Sequence, residues 1–222
     1  LQNKENRGLP FSLNLGIDAA TGVYIARMDA DDISHPLRFA KQIDYMKKEQ
    51  LDLCGTAVEI ISESGLRLCS YCGVEGLGFK EALLAQKAIF PHGSAIFKRE
   101  TAVSLGLYNN NFIYSQDMEF WLRFIANGHK VGKILEPLYS FRIQRGRVSL
   151  AKKKGQKYYT QYLNELYNHR EHEKVLGDIN TLVHSLRREK RTRRPLRDLM
   201  DYWRTVINFR RIGFKYTVSN IV

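Results

Sequence analysis

Apolar residues recur along this chain in two rhythms that change over at short polar stops. Leu9, Leu13, Ile17 and Ala20 are spaced for one face of a helix, with Asn6-Arg7-Gly8 as a tight turn in front and Thr21-Gly22 behind. The mostly apolar residues 23–28 follow and run into Asp29-Ala30-Asp31-Asp32, which predicts a buried strand delivering carboxylates at its carboxyl end. Pro36 suits a first helical turn, and Phe39, Ile43 and Met46 continue it at helical intervals through Lys48. Residues 51–62 read as a strand turned by Glu63-Ser64-Gly65, residues 79–87 and 99–105 as short helices, and residues 91–97 as a loop entering a strand. Residues 116–128 form a longer helix with broad apolar faces, stopped by Asn127-Gly128, and two short strands, 131–135 and 138–143, flank Pro137. A helix joined by a short loop to an apolar strand is half of a βαβ unit, so residues 1–150 are expected to be α/β with a mostly parallel sheet. From residue 151 to 222 the pattern is helical nearly throughout, as in an appended extension.

Charge sharpens that division. The net charge is +12, and 17 of the 35 basic residues but only 7 of the 23 acids lie beyond residue 150, so the basic character belongs to the extension. Within it, Leu196, Leu199, Met200, Trp203, Val206 and Ile207 share one helical stripe bordered by Arg197, Arg204 and Arg211. Such a stripe fits a helix lying among anionic lipid headgroups, and equally one packed on the domain with its arginines solvated. No stretch approaches the roughly 20 apolar residues that span a bilayer. The chain starts neither with Met nor with a signal peptide and enters a helical pattern almost at once, as expected of one that begins inside a larger domain. Three cysteines are too few for a disulfide framework and suit a reducing compartment. Cys69-Ser70-Tyr71-Cys72 has zinc-like spacing but no second pair, as expected of ordinary thiols.

Candidate chemistry centres on the acidic turn. Three carboxylates within four residues repel one another unless solvated or neutralised by a cation. Mg²⁺ or Mn²⁺ would suit them, being held by one or two carboxylates with phosphate and water completing the shell. The alternative is a polar loop capping the next helix. Asp117, at the start of the helix after Gln116, could serve as a general base kept ionised by the helix dipole, or as a plain N-cap. His92 is a catalytic or a structural loop histidine. Two rival functions remain: a phosphohydrolase that forms an aspartyl phosphate on the aspartates of the turn, and a nucleic-acid-binding module using Arg187-Arg188, Lys190-Arg191 and Arg193-Arg194. The acids at the front of the chain argue against specific nucleic-acid binding.

Several motifs together carry a resemblance. Asn6-Arg7-Gly8, Asn14-Leu15-Gly16-Ile17, Gly22-Val23-Tyr24-Ile25, Asp29-Ala30-Asp31-Asp32, Pro36-Leu37-Arg38, His92-Gly93-Ser94, Gln116-Asp117 with Trp121-Leu122-Arg123, and residues 139–149 follow the order and spacing of family 2 glycosyltransferases. The resemblance implies a Rossmann-like fold of the nucleotide-diphospho-sugar transferase type over residues 1–150, and an inverting sugar transfer to an acceptor hydroxyl in surface polysaccharide or glycoconjugate synthesis. It implies Asp31 and Asp29 as metal ligands for Mn²⁺ or Mg²⁺, with Asp29, Asp31, Asn6, Gly8 and Arg142 on the donor side. Asp117 matches the base, and His92, Gly93, Ser94 and Trp121 the acceptor side. The donor would be a nucleotide-diphospho-sugar, UDP-linked, and the acceptor a carbohydrate or lipid-linked glycan. The location would be the cytoplasm, with residues 186–222 as a peripheral contact to the inner face of the membrane. Gln116 and Gln144 depart from the acid and histidine common at those places. The family's opening strand and base-binding loop have no match before Leu1, so the chain resembles a catalytic domain without its nucleotide-binding front.

Overall fold

The computed structural model describes residues 3–73, 78–85 and 87–143, together with Gln156, Tyr159 and Leu163. The elements are α1 (Leu9–Ala19), β1 (Tyr24–Ala26), β2 (Ile33–Ser34), α2 (Arg38–Glu49), β3 (Leu53–Ile61), β4 (Arg67–Tyr71), α3 (Phe79–Leu84), a 3₁₀ turn (His92–Ser94), β5 (Ile96–Lys98), α4 (Arg99–Ser104), α5 (Gln116–Ala126) and β6 (Val131–Arg142). The strands form one sheet in the order β1-β5-β3-β6-β2, with β4 also pairing β3. The α/β class holds.

β3 is the sheet's axis. It is buried along almost its whole length and takes β6 in parallel register from Leu53↔Val131 to Ile61↔Arg142. β5 pairs it antiparallel at Leu53 and Cys54, and β4 at Val58 to Ile61. β1 pairs β5, and β2 pairs β6, also antiparallel. Parallel pairing is thus confined to β3 and β6 among the described strands, and the sheet is mixed where a mostly parallel one was expected. Periodicity shows that a strand exists, not which neighbour it takes; the short turn after β3 can only return an antiparallel β4. β1, β3 and β6 still point the same way, because two antiparallel steps separate β1 from β3.

β1 is not the buried strand the pattern predicted. It pairs only β5 among the described strands, its residues are half-buried or exposed, and flanking Val23 and Met28 are 71% and 47% exposed. The two short strands expected around Pro137 are one strand, β6, whose ladder shifts register beside Ala57, the partner of Pro137. Proline has no N–H to donate, and such an irregularity is where a sheet accepts it. At Gly55, in β3, a Cβ would lie 2.0 Å from the Phe90 ring, so only glycine lets that ring cover the sheet.

The main core lies between this sheet and α5, where Phe120, Trp121 and Phe124 are fully buried against Phe97 and Phe90. Tyr159 and Leu163 are buried in the same core, although they lie beyond residue 150; the Tyr159 ring is 5.4 Å from that of Phe112, and its hydroxyl donates to Asn111 O at 3.2 Å. The remainder of 151–222, with the basic helix expected there, and Gln144 lie outside the described residues. No helix among the described residues is long and apolar enough to cross a membrane.

Candidate active site

The acidic turn follows β1 at the end toward which β3 and β6 also run, the end at which open α/β sheets bind ligands. Its three carboxylates have different surroundings. Asp32 is buried; its Oδ2 accepts the Tyr139 hydroxyl at 2.7 Å and its Oδ1 accepts Arg142 N–H at 2.8 Å. Burial pushes its carboxyl above the usual range in spite of those two donors, and Asp29 and Asp31 push the same way. The Tyr139 oxygen also accepts Asp29 N–H at 3.0 Å, while Arg142 Nε donates to Asp31 O at 2.7 Å and Arg142 Nη1 to the carbonyls of Ser62 and Glu63. Tyr139 and Arg142, both on β6, therefore staple the turn from its far side. Asp32 is the acid that folds the turn, and Asp29, paired with Arg27 Nη1 at 2.6 Å and with 34% of its side chain exposed, and the half-buried Asp31 are its more accessible carboxylates.

α2 carries the second support, on a face that the hydrophobic pattern does not reveal. Phe39, expected in the buried stripe, is 47% exposed, and the buried stripe is Arg38, Gln42 and Met46. Arg38 Nε donates to Gln42 Oε1 at 2.9 Å and Nη2 to Arg27 O at 2.9 Å and Ala95 O at 3.3 Å; Gln42 Nε2 donates to Cys54 O and Ser94 O, both at 3.0 Å. Burial lowers the Arg38 pKa to about 10. A buried guanidinium is tolerated when carbonyl oxygens surround it, and here they tie β1, β3 and the 92–95 loop into one frame. An arginine and a glutamine four residues apart on an amphipathic helix is the signal that could have pointed to this face.

The structure brings several other expected residues together. Asp117 lies in the first turn of α5, presented by Ser115, whose φ of 55° is the left-handed conformation that non-glycine residues avoid. Burial raises the Asp117 pKa, outweighing nearby backbone N–H groups, and Asp117 is within charge range of Arg27, which lowers it, and of Asp29. The helix terminus was expected to keep Asp117 ionised; loss of hydration is the larger effect. His92 Nε2 is 2.9 Å from the Tyr108 hydroxyl, and its ring packs edge-on to Trp121 at 5.8 Å. Burial, with the Arg27 charge, lowers the His92 pKa to about 3, so the ring is neutral. A Cβ on Gly93 would lie 2.3 Å from the Tyr139 hydroxyl.

Ser94 and Trp121 are 0% and 1% exposed. The Ser94 hydroxyl donates to Pro91 O and accepts Thr56 N–H. With access closed, these two are part of the packed interior and are not placed to touch a ligand directly. Asn6 and Gly8 sit before α1, where Asn6 Oδ1 accepts Gly8 N–H at 3.1 Å and Gly8 takes a φ of 90°.

A cavity of about 530 Å³ opens between α1 and β1, lined by Leu13, Ile25, Arg27, Met28, Asp29 and Tyr108 among others. Among the described residues no three His, Cys, Asp or Glu are gathered to hold a metal by themselves. With Asp32 committed to Tyr139 and Arg142, at most two carboxylates of the turn face outward. That donor set fits a hard cation completed by phosphate and water, and does not fit a cage of protein ligands alone.

The model of the family described as Glycosyl transferase family 2 matches residues 1–100. An uncharacterized glycosyltransferase of Methanocaldococcus jannaschii is 36% identical over 73% of this chain and 56% of its own length. The amylovoran biosynthesis glycosyltransferase AmsE of Erwinia amylovora is 31% identical over 70% and 57%. The O-antigen biosynthesis glycosyltransferase WbnJ of Escherichia coli is 33% identical over 53% and 45%. The chain spans about half the length of the curated relatives it matches. The crystal structure of S. aureus TarS 1-349 shares the fold, with a TM-score of 0.54 at 11% identity over 86% of this chain and 54% of that one. Family members use nucleotide-sugar donors and glycan acceptors and generally a divalent metal ion. Nothing in these likenesses supports the phosphohydrolase or nucleic-acid readings. The motifs, the fold and the relatives agree, and the chain belongs to glycosyltransferase family 2.

Proposed function

We propose that the protein transfers a sugar from a UDP-linked donor to a hydroxyl of a carbohydrate or lipid-linked acceptor, with inversion, in the synthesis of a surface polysaccharide or glycoconjugate. One observation carries this reading: the acidic turn at the carboxyl end of β1 brings one of its carboxylates, Asp29, within charge range of Asp117, whose burial raises its pKa. Asp31 and Asp29 would hold Mn²⁺ or Mg²⁺ against the donor diphosphate. When bound, the ion would supply Lewis-acid stabilisation of the departing phosphate charge.

The chain's own residues supply the remainder. Asp117 accepts the proton of the acceptor hydroxyl, help worth about 10²- to 10⁴-fold, and a raised pKa makes it a stronger base than a solvated aspartate. Attack from the side opposite the diphosphate inverts the anomeric carbon. Arg142 keeps the acidic turn in place beneath the donor, and Asn6 and Gly8 shape the entry to α1 on the donor side. His92 and Gly93 would face the acceptor side with the buried Ser94 and Trp121 supporting them from behind, His92 neutral and fixed by Tyr108. The names of AmsE and WbnJ support the polysaccharide setting. A cytoplasmic enzyme held at the inner face of the membrane by residues 186–222 completes the proposal; binding to vesicles containing anionic lipid that is lost on deleting 186–222 would bear it out.

Donor hydrolysis or transfer by the full-length protein with Mn²⁺ or Mg²⁺ tests the assignment. Asp31→Ala and Asp117→Asn are each expected to reduce kcat/KM by about 10²-fold or more. Rates like those of the unaltered protein in both variants would reject it.

A further inference from the structure

Four arginines are packed into or beside this site, and three have clear structural tasks. Although Arg38 Nη1 is enclosed without a hydrogen-bond partner among the described residues, Arg38, Arg123 and Arg142 each donate guanidinium hydrogen bonds to backbone carbonyls. Arg27 does not. It is 8% exposed, its Nη1 lies 2.6 Å from Asp29 Oδ1, and its Nε and Nη1 are enclosed without any hydrogen-bond partner among the described residues. The contact to Asp29 is thus a charge pair without hydrogen-bond alignment. Enclosing guanidinium donors in this way costs the fold stability unless an acceptor meets them, so Arg27 presents donors that a bound acceptor would satisfy.

Position says what that is. Arg27 lines the 530 Å³ cavity beside Asp29 and Tyr108, and its charge is felt by His92, Tyr108 and Asp117. It therefore pairs with the carboxylate on the donor side and is within charge range of the proposed base. In a displacement at an anomeric carbon, what stands between leaving diphosphate and base is the transferred sugar, whose hydroxyl, ring and acyl oxygens are hydrogen-bond acceptors. A guanidinium offers five donors in a fixed plane to such a target.

We propose that Arg27 is a specificity-determining residue that binds the oxygens of the transferred sugar from its place in the cavity beside Asp29. This rests on the donor reading above, and it separates the sugar from the nucleotide as the moiety that Arg27 recognises. Calorimetry on the full-length protein with Mn²⁺ tests it, using UDP-, GDP- and dTDP-linked hexoses and the matching nucleoside diphosphates. The nucleotide sugar bound by the unaltered protein is then taken to Arg27→Met and Arg27→Lys.

The expected result for Arg27→Met is a nucleotide-sugar affinity weakened by about 10- to 100-fold, with nucleoside-diphosphate affinity changed less than about threefold. Arg27→Lys, which keeps the charge and loses the fork, is expected to fall between. The melting temperature of Arg27→Met is expected to equal or exceed that of the unaltered protein. Parallel loss of both affinities would assign Arg27 to the diphosphate, no loss of either would leave it no ligand, and a large fall in melting temperature in both variants would make it scaffold; each overturns the proposal. Failure of the unaltered protein to bind any nucleotide sugar is seen before any substitution and overturns the donor reading itself.

Discussion

One hydroxyl holds the candidate site in shape. The Tyr139 oxygen donates to the buried Asp32 carboxylate and accepts the Asp29 N–H, so it fixes both ends of the acidic turn at once. Tyr139→Phe leaves Asp32 a donor short in a buried place, at a cost of about 1–3 kcal/mol. It should also lower kcat/KM by about tenfold or more, with the loss recovered neither by excess Mn²⁺ nor by added donor. His92 makes a separate prediction about pH. Its folded pKa of about 3 lies far below the ordinary 6.5, so the unfolded chain takes up a proton that the folded one refuses. The stability it confers is complete above pH 6.5 and is lost at up to about 1.4 kcal/mol per pH unit as the pH falls from there toward 3. Urea unfolding between pH 7 and pH 5 should show His92→Gln, which can still meet the Tyr108 hydroxyl, with a flatter stability profile than the unaltered protein.

At the level of elements, the helix that matters most to the site does so through polar residues. α2 turns Arg38 and Gln42 inward to satisfy the carbonyls of Arg27, Ala95, Cys54 and Ser94, and leaves Phe39 on the outside. Gln42→Leu strands two carbonyls and Arg38 Nε and should cost about 2–4 kcal/mol, whereas Phe39→Ser should cost well under 1 kcal/mol. A urea titration showing the reverse order would mean the hydrophobic pattern had named the buried face correctly. The same frame explains why the 92–95 loop lies where it does: Gly93 admits the Tyr139 hydroxyl, and Ser94 is locked by Thr56 and Pro91.

For the whole molecule, the core does not stop at residue 150. Tyr159 and Leu163 are fully buried against Phe112, Tyr114 and their neighbours, so a chain ending at 150 loses part of its main cluster. Leu163→Ala should cost about 2–5 kcal/mol, a large share of the 5–15 kcal/mol typical of a domain, and should lower the melting temperature even though residue 163 lies beyond the expected boundary. Local signals made much of this legible. α1, α2, α5 and β3 stand within a few residues of where periodicity and glycine stops put them, because those signals act between near neighbours in the chain. The acidic turn was readable for the same reason, as three carboxylates in four residues must repel and need a cation or a hydrogen-bond network wherever they fold. What the sequence determined by itself was therefore the main helices, β3 and the place of the acidic turn, whereas β2 and β4 were not read from it and the two strands expected around Pro137 are one. Tertiary structure alone decided that β1 lies at an edge among the described strands, that β5 flanks β3 antiparallel, that Asp32 and not its neighbours is the buried acid, and that Arg27 stands in charge range of both Asp29 and Asp117. Apart from the neighbouring Arg27 and Asp29, those outcomes depend on contacts between residues about 40 to 110 positions apart, and neither pairing nor burial of a charge is encoded in the spacing of a single segment.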